Sequence, residues 1–142
     1  MRVEEIMNKD VKTTEPKVTV QEAAEEMSRY GIGCLLVVKN KKLIGIITER
    51  DIMKKVVAED KQPSKTLVEN IMTKDVILIS PDMEIEEAAE LMMKHNIKKL
   101  PVIIGHQLIG IVTATDICAA EPKMLENLSK LMLIPKKRLI AG

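Results

Sequence analysis

Aromatic side chains are nearly missing: the 142 residues include one Tyr and no Trp or Phe. The core must therefore be aliphatic, built from Ile, Val, Leu and the ten Met. Cysteine is scarce too. Cys34 and Cys118 stand far apart with no companion ligand spacing, which reads as two partly or fully buried free thiols. The two histidines, His95 and His106, are dispersed and lack Cys partners, so no metal site is expected. Apolar runs such as Leu35–Val38 and Leu100–Ile104 are too short to span a bilayer. The opening Met1-Arg2-Val3-Glu4-Glu5 has acids where a signal peptide has its apolar stretch. The expectation is a cytoplasmic protein without membrane insertion. There is no excess of one charge sign: 22 basic and 21 acidic residues give a net charge of +1. That total does not argue for a nucleic-acid partner, although it leaves one open. No Walker-type loop, no GxGxxG and no Ser–His–Asp grouping is visible, so hydrolysis and group transfer lack an engine. The chain is not expected to be an enzyme.

The dominant positive feature is internal. Shifted by 65 positions, Val3–Ile52 lies on Val68–Ile117 without a gap, and 23 of those 50 positions are identical. Anchors include Ile6-Met7 with Ile71-Met72, Pro16 with Pro81, and Glu22-Ala23-Ala24-Glu25 with Glu87-Ala88-Ala89-Glu90. Self-similarity at a fixed offset means one supersecondary unit used twice. A unit of about 60 residues buries little surface alone. The two copies should share a core across a pseudo-two-fold axis, with Met7 and Met72 plugging it.

Each copy predicts the order β-α-β-β-α, an α/β (α+β) fold. The first β segments are Val11–Thr14 and Val76–Ile79, followed by turns at Pro16 and Pro81. Helices follow over Glu22–Tyr30, with Ala23, Met27 and Tyr30 near one stripe, and over Ile85–His95. Thr19 with Glu22 fits a capping box, whereas Glu84 is a poorer cap. Hairpins then form from Leu35–Val38 and Leu43–Ile47, and from Val102–Ile104 and Leu108–Val112. A last helix starts near Thr48 or Thr113. These readings place one domain at 1–60, a linker at 61–66, a second domain at 67–122, and a C-terminal helix with a basic tail at 123–142.

Chemistry concentrates in the repeated Gly-Ile-(Ile/Val)-Thr-x-x-Asp: Gly45, Ile46, Thr48 and Asp51, then Gly110, Ile111, Thr113 and Asp116. The structural reading is a helix cap, the Thr hydroxyl and the Asp answering each other's backbone. The functional reading uses the same junction. Free helix N–H groups and hydroxyls suit a phosphate, the Asp suits ribose hydroxyls, and the Gly allows a ligand close to the backbone. The copies differ around it. Arg50 stands in the first and Thr115 in the second; Gly33-Cys34 precede the first hairpin and Lys98-Lys99 the second. Arg50 and the lysines could meet phosphate or simply be solvated.

In order and twice over, the Ile-Met start, the Glu-Ala-Ala helix, the Leu-Pro-Val-like strand and the Gly-Ile-Val-Thr-x-x-Asp ending resemble a pair of CBS domains, over about residues 3–120. The resemblance points to a small stand-alone prokaryotic or archaeal member. It implies a disc-like pair, often a homodimer, with clefts between the units for AMP, ADP or ATP, or alternatively S-adenosylmethionine. It also implies regulation of a separate protein that the sequence does not name, and no catalytic cofactor. By position in the family motif, Asp51 and Asp116 would hold ribose, and Thr48, Thr113 and Thr115 would sit near phosphates. Ile46 and Ile111 would wall the pocket, and Lys98 and Lys99 would meet phosphate. Gly33 and Cys34 occupy the matching first-copy places, and Lys12 and Ile77 would line the base pockets. Leu36 stands where Pro is frequent. The Asp116 cleft is favoured for a phosphorylated nucleotide, with the Asp51 cleft, which has Arg50 and Ile77, nearly as good.

Overall fold

The computed structural model describes residues 1–131; the rest of the C-terminal helix and basic tail expected at 123–142 lies outside them. The described residues form two compact units: Val11–Val76, and Met1–Asp10 together with 77–131. Each unit holds a cluster of buried hydrophobic side chains of its own.

In the Val11–Val76 unit, β1 (Thr13–Thr14) pairs in parallel with β2 (Cys34–Lys39), which pairs antiparallel with β3 (Lys42–Thr48). Helix α1 (Val20–Tyr30) crosses between β1 and β2. Thr19 caps it by accepting the Glu22 N–H, and Gly31 ends it in the left-handed conformation that glycine adopts without penalty. Its inward stripe is Val20, Ala23 and Met27. Tyr30, expected on that stripe, is instead exposed, with the Lys12 ammonium 4.5 Å from its ring centre. After β3, α2 (Glu49–Ile52) passes into a π-helical turn over Met53–Val57.

The second-repeat unit repeats this with α3 (Ile85–His95), β4 (Lys99–Ile104), β5 (Gln107–Thr113) and α4 (Ala114–Ala120), and adds α5 (Met124–Asn127) against α3 and α4. The β segment expected over Val76–Ile79 shrinks to one bridge, Ile79 to Val102. Proline explains the loss. In the first copy the Leu36 N–H donates to the Lys12 carbonyl; Pro101 stands in place of Leu36 and has no N–H to give.

What closes each unit is the segment that opens the other repeat. Residues 66–73 strap the first-repeat hairpin and residues 1–8 strap the second, through matching backbone bonds. The Val20 N–H donates to the Thr66 carbonyl (2.8 Å) and the Ile85 N–H to the Met1 carbonyl (3.0 Å). Val68 and Val3 donate to Val18 and Met83, each at 2.8 Å. Ile46 and Thr73 exchange a pair of bonds, as do Ile111 and Asn8. The straps thus satisfy helix-start N–H groups that have no partner inside the helix. At α3 this bond stands without a side-chain cap beside it, since Glu84 makes none.

The straps also explain the two hairpin glycines. A Cβ on Gly45 would lie 2.8 Å from the Met72 sulfur and 2.9 Å from the Thr73 carbonyl oxygen; on Gly110 it would lie 2.7 Å from the Met7 sulfur. The space above these glycines is filled by methionine rather than left for a ligand, which corrects the expectation for both positions. Met7 and Met72 each pack against the core of the unit they strap.

Candidate functional site

Both Thr-x-x-Asp motifs are complete capping boxes at strand-to-helix junctions. The Thr48 N–H donates to Asp51 Oδ2 (3.0 Å) and the Asp51 N–H to Thr48 Oγ1 (3.1 Å). Thr113 and Asp116 repeat both bonds at 3.0 Å. The structural reading thus holds in both copies. What the carboxylates do beyond the cap differs.

Asp51 is buried, with 6% of its surface exposed. Its Oδ2 also accepts the Thr48 hydroxyl (3.1 Å), and its Oδ1 accepts the Thr73 hydroxyl (3.1 Å). The Lys55 ammonium lies 3.1 Å from Oδ1 and donates to the Ile71 carbonyl at 2.9 Å. Every face of this carboxylate is taken, and it is not the open acid that the motif suggests. Burial explains the difference: a charge removed from water persists only when paired and hydrogen-bonded.

Asp116 is only half-buried. Among the described residues its Oδ2 accepts the Thr113 N–H and its Oδ1 has no partner. Among the described residues no fully buried side-chain oxygen or nitrogen lacks a hydrogen bond, so this Oδ1 keeps contact with solvent. The repeat positions account for the contrast. Lys55 corresponds to Ala120, which has no ammonium. Thr73 corresponds to Asn8, whose Oδ1 turns back to accept the Asp10 N–H at 2.9 Å.

The hairpins bring the other candidates alongside. Lys99 is the β-partner of Thr113, and the Ala114 N–H donates to the Lys98 carbonyl at 2.9 Å. Lys98, Lys99, Thr113, Thr115 and Asp116 therefore gather at one junction, with Lys98 and Thr115 exposed. In the first copy Cys34 pairs with Thr48, and the Glu49 N–H donates to the Gly33 carbonyl at 3.0 Å. Arg50 is exposed, and Ile46 and Ile111 are half-buried on β3 and β5. Ile77 is half-buried against the second-repeat core. Lys12 is engaged with Tyr30. Burial pushes the Cys118 thiol up, which keeps it protonated at neutral pH. Sequence reasoning missed Lys55, Thr73, Asn8 and Ala120. An Asp and a Lys four apart, read against the repeat offset, is the signal that could have found them.

The CBS-domain family model matches residues 3–58 and again 68–123. The chain belongs to the CBS-domain family. Its two CBS domains stand in tandem, as in related chains. It is 40% identical over 132 residues to the protein MK0525 of Methanopyrus kandleri, covering 92% of this chain and 67% of that one. It is 40% identical over 117 residues to the inosine-5'-monophosphate dehydrogenase of Korarchaeum cryptofilum. That match covers 82% of this chain but only 23% of the dehydrogenase, so it falls on a small part of that enzyme. Among solved CBS structures, a protein with CBS domains from Burkholderia ambifaria MC40-6 superposes with a TM-score of 0.80 at 32% identity, covering 86% of this chain and 95% of its own. Among the described residues no helix is long and apolar enough to cross a membrane.

Proposed function

We propose that this CBS pair is a regulatory sensor for an adenosine ligand, AMP, ADP or ATP, and acts on a separate protein rather than catalysing a reaction. The observation that carries the reading is the solvent-facing Oδ1 of Asp116. A carboxylate with a spare oxygen accepts a ribose hydroxyl; Thr113 is bonded to the same Asp116, and the exposed Thr115 precedes it in the chain. Lys98 and Lys99 put positive charge at the same junction. That charge favours a phosphorylated ligand over S-adenosylmethionine, whose sulfonium is itself cationic. A cytoplasmic setting suits such a ligand.

The sensor is also proposed to be a homodimer. In the Val11–Val76 unit an apolar groove of about 410 Å³ runs between α1 and the helix after β3, lined by Ala24, Met27, Ile32, Ile52, Met53 and Val57. Met53 and Val57 are exposed, and a second copy would cover them. The mass in solution reads this directly.

Calorimetry with AMP, ATP and S-adenosylmethionine tests the ligand. Heat is expected with the phosphorylated ligands, together with a rise in melting temperature by mass action. Asp116→Ala should remove both while the protein stays folded. A flat titration with all three ligands would end the sensor reading and leave both motifs as helix caps.

A further inference from the structure

We infer that Lys55 and Thr73 plug the first copy of the motif from within, so that each chain carries a single nucleotide site, at Asp116. The inference rests on the sensor reading for Asp116; the closed state of Asp51 stands on its own geometry. A carboxylate that grips a sugar must offer oxygens that incoming hydroxyls can reach. Asp51 offers none. The Thr48 N–H and hydroxyl take Oδ2, the Thr73 hydroxyl and the Lys55 ammonium take Oδ1, and the side chain is nearly sealed from water.

The plug is braced as well as paired. Lys55 is one helical turn beyond Asp51, where i and i+4 side chains meet, and its ammonium also donates to the Ile71 carbonyl. Thr73 is fixed by its strap, whose backbone exchanges two bonds with Ile46. A nucleotide entering here would have to break a charge-assisted contact and two hydroxyl bonds before making its own. The second copy has neither group, because Ala120 and Asn8 hold those positions. The charges nearby differ as well: Lys98 and Lys99 precede the hairpin of the open acid where Gly33 and Cys34 precede that of the closed one, whose motif carries the exposed Arg50 in the place of Thr115.

The test transplants the open copy's residues into the closed one. AMP is titrated calorimetrically into the full chain and into the double variant Lys55→Ala/Thr73→Asn, with Lys55→Ala alone as the milder change should the double variant unfold. One site per chain is expected in the unaltered protein. A second should appear in the variant and vanish again when Asp51→Asn is added. Two sites in the unaltered protein would overturn the inference, as would a folded variant that still binds one. Both of those outcomes leave the sensor reading standing. Absence of AMP binding in either protein would overturn the sensor reading and take the single-site inference with it.

Discussion

Asp51 and Asp116 share a motif, a capping box and a place in the repeat, yet one is locked into its own unit and the other turns an oxygen to water. The backbone does not distinguish them. Two positions outside the motif do: Lys55 against Ala120, and Thr73 against Asn8. A duplicated motif can therefore keep its structural duty in both copies while only one keeps a carboxylate oxygen without a partner. The lesson is that the openness of the acid is set by its neighbours, not by the acid.

The comparison is sharpest where the copies should behave alike. Leu35 and Leu100 are repeat equivalents and both fully buried. Truncating either to Ala should cost about 2–5 kcal/mol by the loss of buried methyls and the cavity left behind. Urea denaturation of the two variants should give similar costs, and a large disparity would show that the two cores are not equivalent. The acids should split instead. Asp51→Ala removes hydrogen bonds to a buried charge, worth about 1.5–3 kcal/mol, whereas Asp116→Ala loses chiefly a helix cap, about 1 kcal/mol. Equal costs in the same experiment would erase the contrast on which the site assignment rests.

A smaller split is expected at the glycines. Gly45→Ala drives a methyl to 2.9 Å from the Thr73 carbonyl, which is backbone and cannot step aside; at Gly110 the nearest backbone oxygen, that of Asn8, is 3.1 Å away and the closer atom is a flexible Met7 sulfur. Overpacking of this kind costs about 1–3 kcal/mol, with Gly45→Ala the worse of the two in thermal melts. The smallest effect is in the turns. The Ser80 hydroxyl donates to Asp82 and holds its carboxyl below the usual value of 3.8. A lowered folded-state pKa gives stability that is present above 3.8 and is lost as pH falls through the folded value. The first copy has Glu15 and Lys17 in those places, and Lys17 reaches Glu69 instead (2.7 Å). Ser80→Ala should therefore lessen the acid sensitivity of melting, and an unchanged pH profile would dismiss the contribution.

Much of this was legible in the sequence because it is local. Helix α3 spans the Ile85–His95 that periodicity predicts, Thr19 caps as its type suggests, and the hairpin strands extend one residue beyond the apolar runs that announce them, except β4, which begins three residues earlier, at Lys99. The gathering of Lys98, Lys99, Thr113, Thr115 and Asp116 follows from hairpin register. Other features depend on long-range choices that a repeat offset leaves open. An offset of 65 shows that two copies exist, but not which copy a strap closes, so the strap pairing and the methionines over Gly45 and Gly110 were hidden. The shortened β segment turns on one missing N–H at Pro101. Tyr30 falls on the apolar stripe by spacing, but its ring lies at the helix end, where Lys12 rather than the core receives it.

The exchanged straps make the two repeats inseparable in a particular sense. A protease that cut within 61–66 would not release two finished halves. The N-terminal piece would leave residues 66–73 behind and expose the helix start they seal. The C-terminal piece would lose residues 1–8 in the same stroke. Such fragments would regain closure only as a noncovalent pair, each lending its leading segment to the other.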